Sequence, residues 1–323
     1  MKYSFVVPIY NDGYLAEAFC AEFQLVFRDY LGKQEIADEV ELIFVNDGST
    51  NDSLERLKQA ASKHSFVKVI DLSRNFGQHI AMICGYHHAS GRFVGRLNVD
   101  MQDPPREIPR LLETIKQGDA DIVIGVQRDR QSKWLDRVTS RFFVWFFNFL
   151  IGGKVPHSTA TLRVMTRQYV DNYKHINDKA PFLQGLETWF GYRVKYVSTD
   201  HQQRSDKNSS YTFMKRLKLA LNASIAFSDR PLKYVVYLGL VIGLTGFAGL
   251  TLIVLRQLFV ADLLAGYSST IAIVLFCSGV QILVIGLSGL YIGKILSQVQ
   301  GRPLYLVRER VNFDGSPLSA VDS

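Results

Sequence analysis

Three oxygen-bearing side chains recur at every second position in Asn98-Val99-Asp100-Met101-Gln102, and Asp103-Pro104-Pro105 follow directly. In an extended segment alternate side chains share a face, so Asn98, Asp100 and Gln102 are predicted to converge on one hard cation of the kind that bridges a diphosphate. The plainer alternative is a capped loop ahead of a helix starting near Glu107. Three further polar clusters each follow an apolar run: Pro8-Ile9-Tyr10-Asn11-Asp12, Asn46-Asp47-Gly48-Ser49-Thr50 and Ser73-Arg74-Asn75-Phe76-Gly77. Taken singly, the first two read as ordinary strand-to-helix loops, with glycine permitting a tight turn and Ser or Thr capping the next helix.

The elements that must position these clusters are legible in the hydrophobic pattern. Strand-like runs at Ser4–Ile9, Glu41–Asn46, Val67–Leu72, Phe93–Val99 and Ile122–Gly125 alternate with helical patterns at Leu15–Tyr30, Ser53–Lys63, Gln78–Ala89 and Glu107–Gln117. Regular alternation of this kind predicts a parallel, doubly wound α/β sheet, whose ligands bind at the carboxyl ends of the strands. All four polar clusters fall there.

The chain has 323 residues, 47% of them hydrophobic and 21% charged, which excludes a disordered protein and suggests two modules. With 37 Lys+Arg against 30 Asp+Glu the formal net charge is +7, a lean toward anionic partners. No nucleic-acid-binding motif accompanies it, so nucleic acid is not an expected partner. Three scattered cysteines, Cys20, Cys84 and Cys277, exclude a disulfide scaffold and a four-thiolate zinc site and fit a reducing compartment. The first residues lack the apolar run of a secretory signal, so the first module is expected in the cytosol.

Tyr234–Leu255 and Ser269–Ile292 carry no acidic or basic side chain, and each is long enough to cross a bilayer as a helix. Glycines in both (Gly239, Gly243, Gly246, Gly249; Gly279, Gly286, Gly289) offer faces for close helix packing, within a hairpin or between copies in a homo-oligomer. Basic residues crowd the outer flanks (Lys215, Arg216, Lys218, Arg230, Lys233; Lys294, Arg302, Arg308, Arg310), and the connecting loop has only Arg256. The positive-inside rule then puts both ends in the cytosol. Residues 211–228 suit a helix lying along headgroups, and Arg141–Ile151 suits either interfacial docking or a core helix. The expected organisation is a cytosolic domain over 1–210, a juxtamembrane amphipathic helix over 211–233, two transmembrane helices over 234–293 and a cytosolic C-terminal tail over 294–323. The expected location is the bacterial inner membrane.

Together the four loops resemble family 2 glycosyltransferases of the GT-A type, which have a Rossmann-like, mostly parallel sheet. Downstream matches narrow the resemblance to the membrane-anchored polyprenyl-phosphate glycosyltransferases, over roughly residues 3 to 310. The resemblance implies that Pro8, Tyr10, Asn11, Asp12, Asp47, Asn75, Asn98 and Asp100 hold a nucleotide-diphosphate sugar. It implies that Asp100, Gln102 and Asn98, within a loop matched through Asp103, Pro104 and Pro105, hold Mg2+ or Mn2+. Arg128, Arg137 and Ser140, with Arg204 and Lys207, would meet the phosphate of a polyprenyl phosphate. Asp100, Arg128, Thr161 and Arg163 would carry the chemistry. The activity implied is inverting sugar transfer at the cytosolic membrane face, for cell-envelope glycosylation.

Two residues depart from the family's pattern. Asn98 stands at the first acidic position of its DxD, and Thr161 replaces the aspartate of its TGDFRLM segment, here Thr159-Ala160-Thr161-Leu162-Arg163-Val164-Met165. Losing a general base costs about 10² to 10⁴ in rate when the acceptor is a hydroxyl. A phosphate monoester has its second pKa near ~6, is mostly dianionic at neutral pH, and needs no base. The alternatives are a GT-A membrane scaffold impaired in catalysis and a glycosyltransferase with a different acceptor.

Overall fold

The structure is a computed structural model that describes residues 1–127, 159–179, 181–200, 230–259 and 267–313. Arg128, Arg137, Ser140, Arg204, Lys207, the Arg141–Ile151 stretch and residues 211–229 lie outside the described residues. The chain divides into two compact units, one built around a sheet and one containing two long helices.

In the first unit the predicted alternation appears as β1 (Tyr3–Ile9), α1 (Ala16–Leu31), β2 (Val40–Asn46), α2 (Ser53–Lys63), β3 (Val67–Leu72), α3 (Gln78–His88), β4 (Phe93–Arg96), α4 (Ile108–Lys116) and β5 (Ile122–Gln127). There follow β6 (Thr159–Thr166), α5 (Arg167–Asp171), α6 (Leu183–Trp189) and β7 (Val194–Thr199). After the second unit's helices, α7 (Arg230–Phe259) and α8 (Tyr267–Val299), the chain returns as β8 (Val307–Val311). Among the described residues the strand order is β7-β5-β6-β4-β1-β2-β3-β8.

The sheet is mixed rather than uniformly parallel. β1 pairs in parallel with β2 and β4, as do β2 with β3 and β5 with β7. β6 runs antiparallel between β4 and β5, and β8 runs antiparallel on β3. Residues 294–323, read above as a tail, therefore contain an edge strand. Asn312 fastens it by donating to the Ala61 and Val67 carbonyls at 2.8 and 2.9 Å, and Tyr305, also in this segment, is buried beside His87 at 2.8 Å.

Helices cover both faces, so β1 and β2 are buried on both sides and read as continuous apolar runs. On one face α1 sets Phe19, Phe23 and Phe27 at four-residue spacing against Phe5, Phe44 and Phe66. The Phe23 and Phe27 ring centroids lie 4.7 Å apart, and those of Phe5 and Phe27 lie 5.2 Å apart. The other face is formed by α3, α5 and α6 over Ile43, Val45, Ile70 and Met165.

In the second unit α7 has 30 residues and α8 has 33, about 45 to 50 Å at 1.5 Å per residue, more than the ~30 Å hydrocarbon thickness. The segments Leu232–Gly249 and Phe276–Val299 are long and apolar enough to cross a membrane. Leu240, Leu244, Phe247, Phe276, Ile282 and Ile285 are exposed. Exposed apolar surface on this scale fits association with lipid.

Gly48 shows how tightly the loops after β2 and β3 are pressed together. It adopts φ +62°, and a Cβ there would stand 2.3 Å from the Arg74 carbonyl carbon and 2.4 Å from the Asn75 nitrogen. Gly48→Ala combines left-handed strain with a backbone clash and is expected to destabilise the sheet unit by roughly 2 kcal/mol or more. Denaturant unfolding followed through the tyrosine and tryptophan signal of the detergent-solubilised protein measures this. A midpoint equal to that of the unsubstituted protein would contradict it.

Candidate functional site

The loops after β1, β2, β3 and β4 meet in a cleft of about 400 Å³ at the carboxyl ends of those strands. Its lining is Pro8, Ile9, Tyr10, Asp12, Asp47, Asn75, Gly77, Gln78, Asn98, Val99 and Asp100. The predicted nucleotide residues are all in this lining except Asn11. Asn11, at φ +63°, ties the first two loops together. Its N–H donates to Ser49 Oγ at 3.0 Å, its Oδ1 accepts from the Thr50 N–H at 2.9 Å, and its carbonyl accepts from Asn51 Nδ2 at 3.0 Å.

Asp47 performs a similar tie between the second and third loops. Its Oδ1 accepts from the Phe76 N–H at 2.7 Å and its Oδ2 from the Gly77 N–H at 2.9 Å, at the start of α3. Burial pushes the Asp47 carboxyl above the ordinary aspartate value, against the opposing pull of these two amides and of Arg74. Tyr10, by contrast, leaves 46% of its surface open.

The acidic loop differs from the extended segment expected. β4 ends at Arg96, the chain turns at Val99 and Asp100, and Met101 takes φ +53°. Alternation therefore cannot align Asn98, Asp100 and Gln102. Asn98 and Asp100 line the cleft and Gln102 does not; the Gln102 N–H instead donates to Asp100 Oδ1 at 3.3 Å. Asp103 is buried and turned toward β6, where its Oδ2 accepts from the Thr161 and Leu162 amides at 2.5 and 3.3 Å.

The two residues that depart from the family's pattern touch one another. Asn98 Nδ2 donates to Thr161 Oγ1 at 3.2 Å, and Asn98 Oδ1 accepts from Gln78 Nε2 at 3.2 Å. A neutral bridge thus runs from α3 across β4 to β6. Among the described residues no cluster of three His, Cys, Asp or Glu side chains is assembled for a metal. Mg2+ is commonly held by one or two carboxylates together with substrate phosphate oxygens and water, and Asp100 in the cleft wall fits that arrangement. Asn98 keeps one carbonyl lone pair beyond its bond from Gln78.

Beneath the bridge lies a layer of charge of which the resemblance implied only Arg163. Arg96 and Arg163 stand directly opposite in the β4·β6 register, at 3% and 2% exposure. Arg163 Nε lies 2.7 Å from Glu187 Oε1 on α6, and its Nη1 donates to the Thr161 carbonyl at 3.0 Å. Among the described residues Arg96 Nε and Nη1 and His79 Nδ1 have no hydrogen-bond partner. Burial opposes the charge of Arg163, yet Glu187 holds its pKa above the ordinary arginine value. Burial and the Arg163 guanidinium depress that of Arg96. The signals available were a lone arginine within an otherwise uncharged strand and a lone glutamate in the mostly uncharged Leu183–Phe190 run.

Residues 4–174 match the sequence family described as Glycosyl transferase family 2. The chain is 32% identical to glycosyltransferase YkcC of Bacillus subtilis (strain 168), over 98% of this chain and 97% of that protein. It is 33% identical to the undecaprenyl-phosphate 4-deoxy-4-formamido-L-arabinose transferase of Proteus mirabilis (strain HI4320), over 96% and 94% respectively. It is also 32% identical to the SfII prophage-derived bactoprenol glucosyl transferase of Shigella flexneri, over 96% and 98%.

Acid should weaken the fold through His79. Burial, then Arg96 and Arg163, lower its pKa from 6.5 to about 4. Between these values the unfolded chain takes up a proton that the folded chain refuses. The contribution is complete above about 6.5 and is lost as pH falls through about 4. His79→Gln is expected to flatten the dependence of unfolding free energy on pH between 7 and 4.5; an unchanged slope would refute this assignment.

Proposed function

The chain belongs to glycosyl transferase family 2 and is a glycosyltransferase of the GT-A type, and from this premise we propose that it transfers a sugar from a nucleotide-diphosphate donor to a polyprenyl phosphate at the cytosolic face of a bacterial inner membrane, with inversion at the anomeric carbon. The observation that carries the reading is the meeting of four strand-end loops in one cleft with Asp100 in its wall. Near-full-length similarity to proteins named for undecaprenyl phosphate and bactoprenol supports the acceptor class. The two long apolar helices support a lipid-borne substrate.

In this reading the exposed ring of Tyr10 flanks the nucleobase, while Asp12 and Asn75 accept and donate hydrogen bonds to the nucleoside. Asp100 would hold Mg2+ or Mn2+, with the Asn98 carbonyl as the neighbouring oxygen donor in the cleft wall. A bound cation would offset the negative charge of the diphosphate. Arg128, Arg137 and Ser140, with Arg204 and Lys207, gather the acceptor phosphate. A phosphate oxygen attacks the anomeric carbon in line, the new carbon–oxygen bond forms, and the nucleoside diphosphate leaves with the electron pair of the broken one.

The neutral Asn98–Thr161 contact is compatible with this chemistry. A phosphate dianion attacks without giving up a proton, so no carboxylate base is needed beside it. Arg163, whose Nη1 bonds the Thr161 carbonyl, positions that segment from below.

The test uses full-length protein in detergent or vesicles with undecaprenyl phosphate and a panel of radiolabelled nucleotide sugars. Label is expected in the organic phase with at least one donor. Asp100→Asn should lower turnover by about 10² to 10³, as for loss of a charge-stabilising group. Thr161→Ala should cost less than about tenfold, well below the loss of a general base. No lipid-linked product from any donor with folded protein, or equal use of uncharged polyprenol, would overturn the proposal.

A further inference from the structure

The buried layer below the cleft carries more positive charge than its own residues balance. Arg163 is matched by Glu187. Arg96 has no such match. The groups that act on it are Arg163, which repels it, the phenol of Tyr86, Glu187, which is already engaged by Arg163, and the phenol of Tyr173. An arginine keeps its charge inside proteins, so Arg96 cannot relieve the imbalance by deprotonation. A desolvated, unmatched cation is costly, and such groups persist where an anion completes them.

Its donors are also open. Among the described residues Arg96 Nε and Nη1, two donor groups of the planar guanidinium, are buried without partners, and so is His79 Nδ1 at the start of α3. The open Nε–H and Nη1–H groups point to different edges of the guanidinium, and each can donate to an oxygen of a carboxylate or a phosphate. The Arg96↔Arg163 register places this layer one step along the sheet from Asn98 and Thr161. Asn98 and Gln78, whose amides bond one another at 3.2 Å, both line the cleft. Arg96 and His79 are not part of that lining, so a substituent reaches them only when the Gln78 and Asn98 side chains turn aside.

We propose that Arg96, with His79 beside it, forms an oxyanion subsite below the Gln78–Asn98–Thr161 bridge, which takes the carboxylate or phosphate of a substrate group entering from the cleft. The subsite stands on the geometry of the buried layer; its assignment to a substrate rests on the donor and acceptor reading above. Two sources share the chemistry: a donor whose sugar bears a carboxylate, as in a nucleotide uronic acid, and the phosphate of the lipid acceptor. With an acidic donor sugar Arg96 is a specificity residue, because it meets a substituent away from the bond that breaks; with the lipid acceptor it holds the attacking phosphate itself.

The experiment compares full-length wild-type protein with Arg96→Met and Arg96→Lys in detergent, by calorimetry and thermal unfolding. One arm pairs UDP-glucuronate with UDP-glucose, a second pairs a short-chain polyprenyl phosphate with the matching polyprenol, and a third uses inorganic phosphate alone. The wild type should prefer the acidic member of one pair by at least about tenfold, or be stabilised by phosphate. Arg96→Met should abolish that preference while leaving UDP affinity unchanged, and Arg96→Lys should keep part of it. The pair that shows the preference identifies the source. Should Arg96→Met fail to fold, Arg96→Gln replaces it. No preference in any arm, or a preference that survives removal of the guanidinium, overturns the subsite. Failure of UDP, GDP, ADP, CDP and dTDP alike to bind either protein would instead sink the donor reading, and the phosphate arm would still decide the subsite.

Discussion

The antiparallel register between β4 and β6 is the constraint on which the site depends. By setting Arg96 against Arg163 it also brings Asn98 to Thr161, so one pairing creates both a neutral wall and a cationic layer beneath it. Asp103 secures the entry to β6 through two backbone amides, and Glu187 secures Arg163 from α6. A one-residue slip of β6 would turn Arg163 to the opposite face of the sheet from Arg96. The buried ion pair is weak evidence for added stability, since desolvation offsets much of its attraction. Its value lies in placing charge where water does not screen it.

Most polar side chains in the strand-end loops are spent on one another. Asn11, Ser49 and Asn51 join the first loop to the second, and Asp47 joins the second to the third. These contacts satisfy backbone groups that would otherwise be stranded at the ends of buried strands. Tyr10, Asp12, Asn75 and Asp100 remain turned to the cleft. A loop motif therefore mixes residues that shape the site with residues that face a ligand, and only the hydrogen-bond partners separate them.

That distinction also explains how much was legible in the sequence. The βα alternation and the four loops follow from local patterns, and the helices α2 and α3 begin where expected, at Ser53 and Gln78. Extension was the wrong premise for residues 98–102, because the left-handed Met101 and the turn before it obey no alternation. The antiparallel strands β6 and β8 escaped notice because strand direction is a tertiary property. Arg96, His79 and Glu187 come from β4, α3 and α6, and no spacing along the chain connects them. The local hints were a lone arginine in an otherwise uncharged strand and a lone glutamate in the Leu183–Phe190 run.

The sheet's outer boundary has a consequence for how the protein is made. β3 waits for a neighbour that is translated only after both long apolar helices, since β8 begins at Val307. Until then a nascent chain exposes a row of unpaired amides and carbonyls on an otherwise assembled sheet, a template for pairing with another chain. At about 5 to 20 residues per second the delay between Leu72 and Val311 lasts on the order of 10 to 50 s. Ribosome-bound intermediates of this protein are thus open to strand exchange throughout the period in which the hydrophobic hairpin is being synthesised.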